Sequence, residues 1–140
     1  MKVIKSNTVT PTTLTATDVP ENDASEWVTG TNYHVGDQVM VTTTANGAAT
    51  ATHKIYVSVH SQSGNDPTID DGTNWTEVSS TNRFKMFNNV VQEQTSKSNI
   101  IDVTVTSGVV TTSLAAINVS CASITVTVTD PTEGQVYNQT

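Results

Sequence analysis

Positive charge is scarce in this chain of 140 residues: six Lys and Arg stand against 13 Asp and Glu, a formal net charge of −7. Affinity for a phosphate backbone rests largely on Lys and Arg, so nucleic acid is not expected as a partner. A lone cysteine, Cys121, rules out an intrachain disulfide, and its place in an apolar alternating run predicts a buried, inert thiol. No apolar stretch approaches the roughly 20 residues needed to span a bilayer, so membrane insertion is not expected. Met1-Lys2-Val3-Ile4-Lys5-Ser6 offers no apolar segment that could serve as a signal peptide, and the chain is expected to be made and kept in the cytoplasm. Aromatic residues are few, at 5%, and charged residues make up only 14%. Lysine and leucine are scarce while threonine is abundant, a balance that favours strands with exposed β surfaces and predicts an all-β fold.

A chain of this length has room for one ordinary domain or two very small ones, and the pattern points to two. Residues 1–24 alternate threonines with small apolar residues and end in Asp18-Val19-Pro20-Glu21-Asn22-Asp23. They read as an extended N-terminal arm and a polar, proline-marked turn, a lead-in and not a core. Residues 25–80 form a small, aromatic-cored, three-stranded unit. Its few long aliphatics leave the rings to supply most of the buried area, which makes it marginal without neighbours. Val35-Gly36-Asp37-Gln38-Val39-Met40-Val41 places Val35, Val39 and Val41 on one face after a Gly-Asp turn. Lys54-Ile55-Tyr56-Val57-Ser58-Val59 supplies a strand to pair with it. The link from Thr42 to Thr52 contains Asn46-Gly47, a type I′ turn signal, and reads as an extended hairpin tip. Ser61 to Gly72 has loop chemistry and returns to a strand at Asn74-Trp75-Thr76-Glu77-Val78.

Residues 81–140 change character. Ile100 to Thr106 and Ala122 to Thr129 alternate strictly, Leu114 to Cys121 suggests another strand, and Gly134 to Thr140 starts like a further one. Four strands with one apolar face cannot close, so an incomplete antiparallel β-sandwich is expected, with an open edge and patch. Either the natural chain runs on past Thr140 or other subunits cover that face.

Little in the chain suggests chemistry. His34, His53 and His60, with Asp37, Asp66, Asp70 and Asp71, match no metal-ligand spacing. The Asp66 to Gly72 loop lacks the alternating ligands and bidentate Glu of an EF-hand. No Ser or Thr sits in a Gly-x-Ser-x-Gly elbow, and Cys121 has no base beside it in sequence. Glu21, Glu26, Glu77 and Glu93 could pair only if a rigid shell held them across a cleft. The expectation is therefore no catalytic residues, no metal and no cofactor.

The aromatic frame of Trp27, Thr31-Asn32-Tyr33, Gly36-Asp37-Gln38-Val39, Tyr56, Pro67 and Trp75 resembles the small chitin- and cellulose-binding modules appended to chitinases and recurrent in phage tail proteins. The resemblance covers roughly residues 25–79, with the Thr42 to Thr52 insertion widening the usual spacing. It implies that Trp27, Tyr33, Gly36, Asp37, Tyr56, Pro67 and Trp75 build the module. The places where such modules carry exposed sugar-binding aromatics hold Val59-His60 and Asn65-Asp66 here. A glycan-binding module of this kind is expected to use Tyr33, Tyr56, His60 and Trp75 around the Ser61 to Gly72 loop. Leu14 to Glu21 leading into this unit, then Thr81-Asn82-Arg83-Phe84-Lys85-Met86-Phe87, and finally Gly134-Gln135-Val136-Tyr137 resemble the layout of bacteriophage tail structural proteins. In the inter-unit junction Asn82, Arg83, Phe84, Met86 and Phe87, the three large apolar groups are suited to joining two β units. Arg83 is suited to hydrogen bonding with carbonyls or a carboxylate.

These readings converge on a virion component in the tail tip, baseplate or fibre-attachment region. Its expected partners are other virion proteins and copies of itself. The alternative is a module that binds a host surface glycan during adsorption.

Overall fold

In a computed structural model of the chain, residues 6–140 are described; the first residues of the expected arm lie outside them. The described residues form an all-β architecture of small sheets with one four-residue helix. The largest sheet has the order β2-β4-β5-β7, built from β2 (Ser25–Glu26), β4 (Gln38–Val41), β5 (Lys54–Ser58) and β7 (Trp75–Ser80). The β2–β4 pair is parallel and the others are antiparallel. A two-stranded antiparallel pair, β3 (Asn32–Tyr33) with β6 (Gln62–Ser63), adds to the same unit. The expected three-stranded module is thus a four-stranded sheet with an accessory ribbon. The extra strand arises because Trp27 N donates to Met40 O and draws the segment before the first Trp alongside β4.

The β4–β5 hairpin places Val39 opposite Tyr56 and Met40 opposite Ile55. Val39 and Val41 are buried while Gln38 is exposed, the period-two signature of a strand with one covered face. Val35 does not share that face: it is 69% exposed. Gly36, at φ +90°, turns the chain after Val35, and His34 N is capped by the Asp37 carboxylate. The strand therefore begins at Gln38, beyond the turn.

The Thr42 to Thr52 link folds back instead of projecting as a hairpin tip. Thr42 N and Thr43 N donate to the Glu26 carboxylate, Thr29 N donates to Asn46 O, and Ala49 N donates to Asp66 Oδ2. Ala48 is buried in the core as a result. A type I′ turn needs positive φ at both central residues. In the turn closed by Gly47 N donating to Thr44 O, the central Ala45 and Asn46 have negative φ, and only the following Gly47 is left-handed.

Trp27, Tyr33, Val39, Val41, Ala48, Tyr56 and Trp75 make one hydrophobic cluster. Tyr33 and Trp75 meet edge to face, with ring centroids 5.1 Å apart and planes at 71°, a favoured aromatic geometry. The segment before β2 also contributes buried side chains: Val19 is 1% exposed and the Glu21 side chain 6%. The lead-in is accordingly part of the packed structure.

The helix α1 (Asn82–Lys85) follows β7 directly. Beyond it the strands are antiparallel, as expected, and stand as two separate two-stranded pairs. β8 (Val103–Val105) pairs with β1 (Leu14–Thr17), and β9 (Val126–Asp130) pairs with β10 (Gly134–Gln139) as a separate hairpin. Leu114 to Cys121 makes no strand, and Cys121 is exposed, not buried. No residue after Thr95 is buried. Alternation supplies a potential apolar face, but a strand stays covered only where a second surface packs on it, and none does here.

Candidate functional site

Two places gather polar groups: an open groove on the module and a buried acidic hub at the junction. The groove, of about 450 Å³, is lined by Tyr56, Pro67, Trp75, several threonines and the Lys54–Glu77 pair. Its floor is constructed by loop capping. Asp70 Oδ1 accepts from Gly72 N, Asn74 N and Trp75 N, while Oδ2 accepts from Asn74 Nδ2. Burial opposes the charge on Asp70, but these donors outweigh it and hold the carboxyl below its ordinary range. Asp66 Oδ1 takes Thr68 N and Oγ1, and its Oδ2 holds the folded-back link through Ala49 N. Both carboxylates thus serve as backbone caps.

The four candidate glycan-binding residues are not brought to one surface. Trp75 is 2% exposed and Tyr56 6%, so neither ring offers a free face for stacking on a sugar. Tyr33 is buried with its hydroxyl at Val28, accepting from Val28 N at 2.8 Å. Trp75 Nε1 donates to Asn65 O, and Tyr56 Oη donates to Thr52 Oγ1. Burial pushes the Tyr56 hydroxyl above its usual pKa, leaving it a neutral donor. His60 is exposed and does not line the groove. The module-core reading of Trp27, Tyr33, Tyr56 and Trp75 matches their burial. Gly36 and Asp37 form the turn, and Pro67 lies at the groove wall.

The hub is centred on Glu21. Its Oε1 accepts from His53 Nδ1 at 2.8 Å and from Thr81 Oγ1, and Oε2 meets Arg83 Nη1 at 2.8 Å. Burial penalises the Glu21 charge, yet hydrogen bonds from His53 and Thr81 and the Arg83 charge prevail, and its pKa lies below the ordinary glutamate value. Thr81 is fully buried. Arg83 Nε also donates to Val19 O, so the arginine does bond a carbonyl and a carboxylate. His53 adopts a left-handed backbone, φ +53°, with its N–H on Val41 O and its carbonyl accepting from Thr81 N.

The remaining junction residues tie the corner together. Phe84 is buried with its ring 4.7 Å from the His53 ring and 6.4 Å from that of Phe87. Asn82 Nδ2 donates to Ser96 O while its Oδ1 accepts from Ser96 N. Met86 N donates to Thr95 Oγ1. Two further ion pairs flank the hub, Asp23 with Lys85 at 3.0 Å and Asp18 with Lys97 at 2.7 Å. Sequence reasoning does not single out Glu21, His53 and Thr81 as a cluster. The visible signal is three acids within Asp18 to Asp23 set against three cations in residues 83–97, a balance that spacing alone does not convert into contact.

Chemically, the hub acts as a structural clasp. Glu21 stands between His53 and Thr81, so the Thr81 hydroxyl donates to the acid and not to the imidazole. Comparison with protein-family models, characterised proteins and solved structures finds no match for the chain. No helix among the described residues is long and apolar enough to cross a membrane.

Proposed function

We propose that this chain is a structural subunit of a bacteriophage virion, in the tail tip, baseplate or fibre-attachment region, and that it assembles with copies of itself and other virion proteins through β-strand surfaces. The virion assignment rests on the resemblance of the module and the Thr81 to Phe87 junction to tail proteins. The assembly assignment rests on one observation: no residue after Thr95 is buried, and large apolar side chains there are exposed. Val110 is 90% exposed, Ile117 78%, Val136 52% and Tyr137 50%. Isolated two-stranded hairpins are marginal in water, and free strand edges join chains through main-chain hydrogen bonds.

The experiment is the solution mass of the 140-residue chain by light scattering across a range of concentrations. A defined oligomer is expected, and a monomer throughout would overturn the assembly reading. Host-glycan binding has weaker support, because Tyr33, Tyr56 and Trp75 are enclosed in the core. Retention of the folded chain on an insoluble polysaccharide would reverse that ordering.

A further inference from the structure

Residues 18–23 form an acidic strap. Asp18, Glu21 and Asp23 are each clasped by a different cation, Lys97, Arg83 and Lys85, all of which lie after the module in sequence. Among the described residues only one other Lys or Arg exists, Lys54, and it pairs with Glu77. The strap is reinforced by Asn82 N on Asp23 Oδ2 and Asp102 N on Asp18 Oδ1. Just before it, β1 pairs antiparallel with β8, Thr17 opposite Val103 and Ala16 opposite Thr104. These ties all reach residues thirty or more positions further along the chain, and a single residue, Ala24, separates the strap from β2.

From this we infer that residues 6–23 exchange between copies: the arm of one chain seats its three acids and β1 on the three cations and β8 of a second chain. The inference rests on the assembly reading above and names the interface it uses. Every contact made within one chain can be made identically between two, so the exchanged interface is already complementary in shape, register and charge. The ribbon side chains are largely exposed, and within the strap the buried side chains are Val19 and Glu21. A short hinge between two tethered elements is a place where exchange between copies arises. Salt weakens the clasps and is expected to speed the exchange.

The test places cysteines across the ribbon. Thr17→Cys and Val103→Cys are combined with Cys121→Ser, the protein is oxidised at several concentrations, and the products are resolved by non-reducing denaturing electrophoresis beside light scattering of the same samples. Bridges that join two chains in the oligomeric fraction are the expected result. An oligomer whose bridges all close within one chain overturns exchange while leaving assembly intact, whereas a monomer with internal bridges overturns both. If that variant does not fold, charge reversal decides. Chains carrying Glu21→Arg or Arg83→Glu mismatch the clasp in themselves but match it when exchanged with each other. Recovery of oligomer mass only on mixing supports the inference, and a mixture that behaves as the sum of its parts overturns it.

Discussion

Trp27 and Trp75 are equally enclosed, at 1% and 2% exposure, but their indole N–H groups differ. Trp75 Nε1 donates to Asn65 O at 2.9 Å, whereas Trp27 Nε1 is buried with no acceptor among the described residues. Replacing each by Phe removes similar area, yet only at Trp75 does it remove a made hydrogen bond. Trp75→Phe is expected to destabilise by about 1–2 kcal/mol more than Trp27→Phe in denaturant titrations. At Glu21, Glu21→Gln is expected to cost about 1–3 kcal/mol at neutral pH, because the Arg83 charge and the His53 ring lose their carboxylate. The pH dependence has a fixed sign. A carboxyl whose folded pKa is depressed stabilises above its unfolded value and loses that contribution as pH falls through the folded one. Wild-type thermal stability should therefore decline as pH drops below the ordinary glutamate range, and Glu21→Gln should flatten part of that decline.

At the level of elements, the informative segment is the Thr42 to Thr52 link, which folds over the module and buries Ala48. Its turn closes at Gly47, where φ is +99° and an added Cβ would lie 2.9 Å from Thr29 Cγ2. Both the backbone conformation and the neighbour oppose a side chain, so Gly47→Ala is expected to lower stability by about 1–3 kcal/mol, read by thermal unfolding. If the link were a free hairpin tip, the substitution would be nearly silent. The β4–β5 hairpin, in contrast, is legible in the amino-acid pattern itself, because Val39, Val41 and Tyr56 carry the alternation of a half-covered sheet. Leu114 to Cys121 carries a similar alternation and makes no strand. Periodicity reports which side chains could share a face, and only a partner surface makes that face a core.

For the whole molecule, burial is concentrated before residue 96 and the open β surface lies after it. Removing residues 107–140 should leave the tryptophan-monitored unfolding free energy within about 0.5 kcal/mol of the full chain, since none of the core cluster is touched. The same deletion removes most of the open surface but keeps β8 and the three clasping cations, so light scattering should show a smaller oligomer that still exchanges its arm. A large loss of module stability would show instead that the distal half supports the core.

The amino-acid sequence by itself determined the all-β class, the aromatic core of the module and the Gly36-Asp37 turn, because ring size, threonine content and period-two alternation act locally and survive any choice of partner. It also marked Phe84 and Arg83 as junction residues. Only the tertiary structure decided that Glu21, His53, Thr81 and Arg83 meet, that the arm pairs with β8, and that the tyrosines and Trp75 are enclosed instead of displayed. Those outcomes depend on contacts between segments about 30 to 90 residues apart, where loop closure and complementary charge, not local pattern, select the partner.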